Sequence, residues 1–491
     1  MPLLRRCALS LVAALAVLLS VAAPARGQDT TVAGVRIGLV YTPGTRPGVL
    51  VLPVGGVAGD SIRAILQRDF TYGDRINVIA LEPSAIPPFG DGSSKPNYPL
   101  FTRLGAAAIL EVTPTSFGIQ VAVHNAGKGL VERTKAFPLP AGTLSANWRL
   151  ALHDVADEIE LWVTGVRGIA ATRILYVSEG RVYQVDSDGA NPTPLTGAAT
   201  AMSPVWNPKA THIAYMTMGP AGQQIVIRES GGATRVLPTR NGLNMTPTFA
   251  PDGNTIVYAF GAESGTDLYA TNAFGNEPAR RITVGRGSDN TQPSFSPDGR
   301  RLAFTSGRVG HPEVYISDAD GTNAELLTPY NFGDQSYRAN PDWSPDGRLI
   351  AFEALIGGRM QIMSIGLRDR VIKRHTSEGV NEQPSWAPDA RHVVFTSNRG
   401  GTRQLWVLDV ESNTVRQLTR ALGARFGAWS PRSVVASSVG PSPTPTPPPQ
   451  AQGTCHESWT SRTRPLGTRP RRRLRLPEEA GNDVDPGDAD A

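Results

Sequence analysis

The sequence has 491 residues, and 40% of its side chains are hydrophobic, which is enough for a sizeable core and excludes a chain disordered throughout. Its 51 glycines and 41 prolines favour short strands joined by tight turns, and its 2 cysteines exclude a disulfide scaffold or a cysteine-based zinc site. The formal charge is +5, but three arginines lie in the first 26 residues and residues 441–491 are neutral overall. Nucleic-acid binding driven by net charge is therefore not supported.

The first 27 residues have the pattern of a secretory signal peptide. Arg5 and Arg6 precede an uncharged apolar run from Ala8 to Ala23, and a small-residue cleavage site ends at Ala25. The alternative is a membrane anchor, but this run is shorter than the roughly 20 residues that a spanning helix needs. We therefore predict Sec-dependent export, cleavage near Ala25 and a product without a transmembrane segment.

Residues 28–165 contain no repeat and are predicted to form a small α/β domain with a leading arm. Apolar runs of strand length and segments with helical spacing define its elements. The predicted strands are Val35–Val40, Val49–Val54, Ile76–Leu81, Ala106–Val112, Ile119–His124 and Val131–Phe137, and the predicted helices are Asp60–Phe70 and Ala146–Trp162. Proline-rich residues 82–99 are predicted to be a loop. The segment has no Gly-x-Gly-x-x-Gly or Walker sequence, so a nucleotide-binding function is not supported.

An internal repeat runs through residues 166–436. It is anchored on six aromatic residues spaced by 43, 46, 48, 43 and 43 positions: Trp206, Phe249, Phe295, Trp343, Trp386 and Trp429. Each anchor is followed two positions later by proline, and in three repeats that proline begins a Pro-Asp-Gly turn, which is typical of a hairpin. Four short strands per repeat indicate the blades of a β-propeller.

The two ends of the repeat array predict how it closes. Ile174 to Thr196 matches the second to fourth strands of a blade, whereas Trp429 belongs to a first strand with no second strand after it. We therefore predict a six-bladed propeller in which the strand of Trp429 completes the first blade. Such closure removes exposed sheet edges. A β-solenoid is the alternative, but a partial blade at each end argues against it.

After the propeller, residues 437–491 are predicted to be a disordered tail. A Pro/Ser/Thr tract is followed by an Arg-rich stretch and an acidic stretch with almost no apolar residues. Cys455 lies in this tail and has no predicted role.

Polar residues recur just before the anchors and form the candidate binding site. Ser203, Thr246, Gln292, Asn340 and Gln383 stand three positions before an anchor, Asn244, Asn290, Arg338 and Asn381 stand five before, and Thr291 and Glu382 lie between. Symmetry predicts a ring at one mouth of the channel. The alternative is that these are ordinary turn formers. A mostly uncharged ring is suited to recognising a polypeptide.

Signals for catalysis, metals or cofactors are weak. The chain has no Gly-x-Ser-x-Gly sequence, and no two of its seven histidines have metal-ligand spacing, so we expect surface histidines, no enzyme activity, no metal and no cofactor. The acidic pairs Asp186/Asp188 and Asp318/Asp320 are interpreted as turn residues, because they do not fit a calcium loop. An exported propeller enzyme, such as a polysaccharide lyase or a peptidase, and a glycan- or peptide-binding propeller remain alternatives.

Taken together, the export signal, Arg46–Pro53, the α/β segment and six blades ending at Phe426–Pro431, with a repeat unit similar to the WD40-like Pro-Asp blade, resemble the TolB family of the Tol–Pal envelope system, over residues 33–433. The charged tail departs from that pattern. The resemblance implies a monomeric periplasmic adaptor acting in outer-membrane constriction during cell division and in envelope integrity. It further implies that a Pal-like peptidoglycan-associated lipoprotein binds the channel mouth. A TolA-like inner-membrane protein would bind the arm, including Val35, Arg36 and Ile37, although Val35–Val40 could instead be a permanently paired strand.

Overall fold

A computed structural model describes residues 46–86, 95–197, 200–220, 222–284, 288–330, 336–420 and 423–432. The predicted signal peptide, the predicted arm with the strand expected over Val35–Val40, and the charged tail lie outside these residues. Within the described part of the chain, no helix is long and apolar enough to cross a membrane.

The α/β domain is built on a five-stranded sheet with the order β2-β1-β3-β4-β5. Its strands are β1 (Gly48–Val51), β2 (Asn77–Val78), β3 (Ala106–Thr115), β4 (Gly118–Asn125) and β5 (Leu130–Pro138). The first strand is parallel to both of its neighbours, and the other pairs are antiparallel. The helices are α1 (Gly59–Tyr72), α2 (Tyr98–Arg103) and α3 (Ala146–Thr164), and a single 3₁₀ turn spans Pro83–Ala85.

Helices α1 and α3 pack on one face of this sheet through apolar stripes. Ile62, Leu66 and Phe70 recur every four residues along α1 and are buried with Leu152 and Ile159 of α3. Both helices were predicted. Two details were not: the strand expected over Ile76–Leu81 is limited to two residues, and the proline-rich segment contains α2, which Asn97 caps by accepting a hydrogen bond from the backbone N–H of Leu100.

Six four-stranded antiparallel sheets form the propeller, as predicted. The strands of blade 1 are β29 (Arg425–Trp429), β6 (Arg173–Ser178), β7 (Arg181–Asp186) and β8 (Thr193–Pro194); those of blade 2 are β9 (Met202–Trp206), β10 (His212–Gly219), β11 (Gly222–Glu229) and β12 (Thr234–Val236); those of blade 3 are β13 (Leu243–Phe249), β14 (Thr255–Ala262), β15 (Gly265–Asn272) and β16 (Arg280–Arg281). Those of blade 4 are β17 (Asn290–Phe295), β18 (Arg301–Ser306), β19 (Glu313–Asp318) and β20 (Glu325–Leu326); those of blade 5 are β21 (Arg338–Trp343), β22 (Leu349–Ile356), β23 (Arg359–Gly366) and β24 (Ile372–Arg374); those of blade 6 are β25 (Asn381–Trp386), β26 (His392–Ser397), β27 (Gln404–Asp409) and β28 (Val415–Gln417).

The predicted seam is confirmed by the pairing in blade 1. Strand β29 lies antiparallel to β6, with Trp429 opposite Ile174 and Arg425 opposite Val177. The indole N–H of Trp429 donates to the hydroxyl of Thr172 at 2.8 Å, and the side chain is 5% exposed. The end of the array is therefore fastened to its beginning by both backbone and side chain.

The propeller has two faces that differ in what covers them. Along each innermost strand the chain runs from the mouth face, where Thr246 and Gln383 lie, to the turn face, where the hairpins following the anchors lie. The α/β domain contacts the turn face: Arg75 bonds Asp389 at 2.9 Å, and Arg391 donates to the backbone carbonyl of Asp74 at 3.0 Å. The mouth face is on the opposite side of the propeller from the α/β domain.

Candidate functional site

A ring of six residues with left-handed backbone surrounds the channel on the mouth face. Its members stand three positions before each anchor, and their φ angles lie between 43° and 57°: Ser203, Thr246, Gln292, Asn340, Gln383 and Phe426. Each lies where the register of the innermost strand against the second strand shifts. Bulges of this kind redirect side chains and are common next to functional sites. Positive φ is a genuine outlier for a residue as bulky as Phe426.

Hydrogen bonds between blades hold this ring in place. The amide N–H of Gln292 donates to the Thr246 hydroxyl at 3.2 Å, and that of Asn340 donates to Oε1 of Gln292 at 3.1 Å. Phe426 N–H donates to Oε1 of Gln383 at 3.1 Å, while Gln383 N–H donates to buried Glu353 at 2.8 Å. The polar side chains therefore position successive ring residues, which sequence symmetry alone did not indicate.

Below the ring, the described channel lining carries one ionisable side chain. A cavity of about 150 Å³ on the mouth side and one of about 290 Å³ on the turn side share Val205, Thr248, Asp342, Ser385 and Ala428 in their walls. Burial raises the pKa of Asp342 to about 6, against hydrogen bonds from the Trp386 amide and the Ser294 hydroxyl. Asp342 is the only ionisable residue among the described residues that line the two cavities.

The three asparagines five positions before the anchors do not line the mouth, so that expectation was wrong. Asn244 is 1% exposed, and Asn290 and Asn381 are fully buried. Asn381 donates to Oε1 of Gln361 at 3.0 Å and to the carbonyl of Glu378 at 3.0 Å. These side chains satisfy buried acceptors of the preceding blade, and their burial makes them structural residues.

A shared acceptor explains this pattern at three blade junctions. A residue among the first three of a blade's third strand accepts from a threonine beyond the fourth strand and from the residue five positions before the next anchor. The three sets are Asp267 with Thr283 and Asn290, Glu313 with Thr328 and Arg338, and Gln361 with Thr376 and Asn381. Where the donor is arginine the acceptor is the carboxylate Glu313, so Arg338 is also held in a structural contact.

Of the other predicted site residues, Thr291 and Glu382 are half-buried. Thr291 pairs with Thr305 across blade 4, and Glu382 forms an ion pair with Arg403 at 3.3 Å. Val35, Arg36 and Ile37 lie outside the described residues. The ring prediction thus placed the three-before residues around the channel, but it did not distinguish them from the interblade residues two positions earlier.

An apolar rim on the mouth face was missed by the sequence analysis. Among the described residues, eight large hydrophobic side chains are exposed by between 37% and 78% where strands or loops reach this face: Met202, Met218, Val236, Leu243, Val284, Tyr337, Leu355 and Ile356. Only Phe274 and Val371 are similarly exposed at the turn face of the described blades. The feature that could have indicated this rim is the greater length of the central hairpins of blades 2, 3 and 5. Their strands have 8 residues, whereas β18 of blade 4 has 6.

Three histidines expected at the surface are buried, which corrects that expectation. His124 is 3% exposed, and His153 and His392 are fully buried.

The acidic residues of the turn after β7 do serve the turn, since Asp188 accepts from the Ala190 amide at 2.9 Å. Asp188 also bonds the Arg149 guanidinium of the α/β domain at 2.6 Å. The sequence offers no periodic signal for such contacts between domains.

Two clusters of described residues have the spacing of metal ligands: Asp69 with His153 and Asp188, and Asp74 with His392 and Asp409. In both clusters, a carboxylate already forms an ion pair with an arginine side chain. Arg68 and Arg149 bond Asp188, and Arg391 bonds Asp409 at 2.7 Å. Guanidinium groups at these oxygens would repel a divalent cation, so the clusters are suited to ion pairing and not to metal binding.

The fold and the site define a closed six-bladed propeller whose channel mouth combines a polar ring with an apolar rim. The model of the TolB beta propeller domain matches residues 161–433, which is more than half of the chain. The chain belongs to this family.

Individual relatives agree with this assignment. Tol-Pal system protein TolB of Haemophilus influenzae is 28% identical over 220 residues, covering 41% of this chain and 50% of that protein. A TolB homolog of Chlorobaculum tepidum is 32% identical over 168 residues, covering 33% of this chain and 37% of the relative. The matched part of the chain thus spans half the length of these curated relatives or less.

A solved structure extends the similarity of fold to both parts of the chain. The crystal structure of TolB from Acinetobacter baumannii matches with a TM-score of 0.68 at 22% identity, covering 80% of this chain and 98% of that one. It shows the same fold.

Proposed function

We propose that this protein is a non-enzymatic, periplasmic adaptor of the Tol–Pal system that binds another polypeptide on the mouth face of its propeller. The observation that carries the proposal is the apolar rim around the polar ring, on the face that the α/β domain leaves uncovered. Contiguous exposed apolar side chains on a soluble protein commonly mark a protein interaction site.

The chemistry of the mouth is suited to a polypeptide partner. Interface centres are depleted in charged residues and enriched in methionine and aromatic residues. This mouth offers Met202, Met218, Tyr337 and Phe426, and the described lining of its central cavity has Asp342 as its one ionisable residue. The ring supplies hydrogen-bonding groups at the centre of this surface. We infer that the partner inserts a loop with apolar side chains and free backbone groups.

Family membership suggests the partners. We propose that a Pal-like peptidoglycan-associated lipoprotein binds the mouth, and that a TolA-like inner-membrane protein binds the arm at Val35, Arg36 and Ile37. The predicted signal peptide supports a periplasmic site of action. We propose that the protein acts there as a monomer. In this proposal the protein contributes to outer-membrane constriction during division and to envelope integrity.

An exported lyase or peptidase is the alternative from another class. Acid–base or nucleophilic chemistry needs at least two convergent reactive groups, and Asp342 is the only ionisable side chain in the described channel walls. That arrangement favours binding over catalysis.

Calorimetry with the lipid-free domain of the cognate Pal-like lipoprotein tests the proposal. The rim variant M202S/L243S/I356S should bind at least about thirtyfold more weakly, the effect of losing roughly one interface hot spot. The matched control F274S/V371S removes exposed apolar side chains from the turn face and should bind normally. Undiminished binding by the rim variant, or equal loss in the control, would reject this face.

A companion titration with the TolA-like protein tests the arm. The variant V35A/R36A/I37A should lose this interaction and retain binding to the Pal-like domain. Cell-wall glycan fragments provide a third titrant, and saturable binding of them to the mouth would favour the glycan-binding alternative.

A further inference from the structure

We propose that the α/β domain is held on the turn face of the propeller by a proton-dependent latch built on His153 and His392, which loosens as the solution becomes alkaline. The proposal concerns the interface between the domains and does not depend on the identity of any partner.

The first half of the latch lies between blade 6 and the end of α1. His392 begins β26 and is fully buried. Its Nδ1 lies 2.8 Å from Asp389 Oδ2 in the turn of the same blade, and its Nε2 lies 3.3 Å from Asp74 Oδ2 in the α/β domain. One imidazole therefore spans two carboxylates from different domains, and only the doubly protonated ring donates to both.

The second half lies between α3 and blade 1. His153 is fully buried, with Nδ1 2.7 Å from Asp69 Oδ2 of its own domain. Its Nε2 has no hydrogen-bond partner among the described residues and lies 3.8 Å from Asp188 Oδ2 of the propeller. Protonation places a positive charge between these two carboxylates, across the same interface as His392.

The surroundings favour the protonated imidazoles. Burial by itself would lower the pKa of both rings, but the charge and hydrogen bond of Asp389 raise the pKa of His392, and those of Asp69 raise the pKa of His153. A neutral ring would leave carboxylates facing each other across the interface. The latch is therefore strongest when both rings carry two protons.

Two acids of α3 act in the same direction. Burial raises the pKa of Glu160 to about 8, with the Arg75 guanidinium 3.6 Å away opposing the shift, and burial raises that of Asp157 to about 7. A group whose pKa is raised by docking stabilises the docked state below its free pKa and loses that contribution as pH rises through the docked value. The histidines and these acids therefore all weaken docking on the alkaline side.

The opposite dependence comes from Asp389. Burial would raise its pKa, but His392 and Arg75 hold it far below the usual range, so its contribution is lost only in acid. The other charged groups facing His392 are Arg46, Arg391, Asp409 and Arg416, and those facing His153 are Arg68, Arg149, Asp186, Asp188 and Arg416. Burial lowers the pKa of Arg416 to about 10, so this guanidinium remains mostly charged up to about pH 9 and its contribution changes little over the range of the test.

The latch also reaches the start of the described chain. Arg46, just before β1, lies 3.3 Å from Asp74 and 4.0 Å from Asp409. Loosening the latch would free the point where residues 28–45 join the domain. Any effect on the arm's partner rests on the proposed function, whereas domain docking does not.

Hydrogen exchange of residues 28–491 tests the latch at about pH 6 and pH 9. Each measured rate is divided into the intrinsic exchange rate of an unprotected amide at the same pH, which gives a protection factor. Protection of residues 68–75 and 168–173 should fall at least about tenfold at the higher pH, the effect of roughly one pKa unit of linkage. Strand β1 and the propeller strand β18 serve as internal references and should keep their protection.

Variants separate the latch from general alkaline effects. H153Q/H392Q should be weakly protected at both pH values, with a smaller fall between them than wild type, because only Glu160 and Asp157 then contribute to the alkaline loss. H212Q is the matched control, because His212 lies on the turn face with no contact to the α/β domain among the described residues. E160Q, an uncharged analogue of protonated Glu160, should retain more protection than wild type at pH 9.

If H153Q/H392Q fails to fold, three measurements still test the latch. They are the pH dependence of protection in wild type, the protection of E160Q, and an NMR titration of the imidazoles. The proposal is overturned by equal wild-type protection at both pH values, by an unchanged profile in a folded H153Q/H392Q, or by imidazoles that titrate below their ordinary range.

Discussion

The indole N–H of Trp206 in blade 2 donates to the backbone carbonyl of Ala428 in the seam strand at 3.2 Å. The next blade in sequence is thus bonded to the last strand of the chain. On the other side, the backbone N–H of Trp429 donates to the hydroxyl of Ser385 in blade 6 at 3.1 Å. Strand β29 is therefore fixed by both neighbouring blades as well as by its own.

We predict that W429A destabilises the whole propeller. Removing this buried aromatic should cost about 3–5 kcal/mol of unfolding free energy, because it leaves a cavity at the seam and the Thr172 hydroxyl without its donor. Urea unfolding followed by circular dichroism gives this value. The control F274A, at a residue that is 40% exposed, should change it little. A small effect of W429A would mean that the seam contributes little to closure.

A second prediction concerns the interblade asparagines. N381A should cost about 1–3 kcal/mol of stability, since it removes a fully buried side chain that donates to Gln361 and to the Glu378 carbonyl and accepts from Arg399. S203A changes a ring residue for which no hydrogen bond is seen among the described residues, and it should be nearly neutral. Thermal or urea unfolding distinguishes the two. Equal stability of both variants would show that Asn381 is not a structural residue.

The sequence predicted the six blades and the seam because their signals are local and repeated. Aromatic anchors, flanking prolines and Pro-Asp-Gly turns recur at near-constant spacing, and each reports a hairpin whose backbone requirements are set by neighbouring residues. The two principal helices of the α/β domain were predictable for the same reason. Helix α2 was missed because proline-rich composition masked the Asn97 cap.

The site was predicted less well because spacing does not report burial. Asn290 and Gln292 are two residues apart on one strand, yet Asn290 is buried between blades while Gln292 lines the channel. Their separation depends on the bulge that gives Gln292 a φ of 54°, which the sequence does not show. The buried His392 illustrates the same limit, since its partner Asp74 is 318 positions away.

The repeated interblade acceptor permits a designed exchange. E313Q alone should be destabilising, because Arg338 would lose the carboxylate that pairs with it at 2.9 Å. Adding R338N recreates the Gln–Asn pair of Gln361 and Asn381, so E313Q/R338N should recover most of the stability. A double-mutant cycle in urea measures the coupling, expected at roughly 0.5–3 kcal/mol. Strict additivity would show that the two junctions are not equivalent.

The last prediction concerns Glu353, whose carboxylate accepts the Gln383 amide at 2.8 Å behind the ring. Burial raises its pKa to about 7, although this hydrogen bond and one from Asn340 oppose the shift. Because its pKa is raised in the folded protein, Glu353 stabilises the fold while it is protonated, and this contribution is complete when the pH is below the ordinary pKa of a glutamate. The contribution is lost as the pH rises through about 7. E353Q keeps an acceptor without the charge, so it should match wild type near pH 5 and be more stable by about 2–3 kcal/mol near pH 8. Urea unfolding at the two pH values measures the difference, and E263Q, at an exposed glutamate, is the control. An E353Q stability gain that is the same at both pH values would contradict a titrating Glu353 and point instead to better packing of the amide.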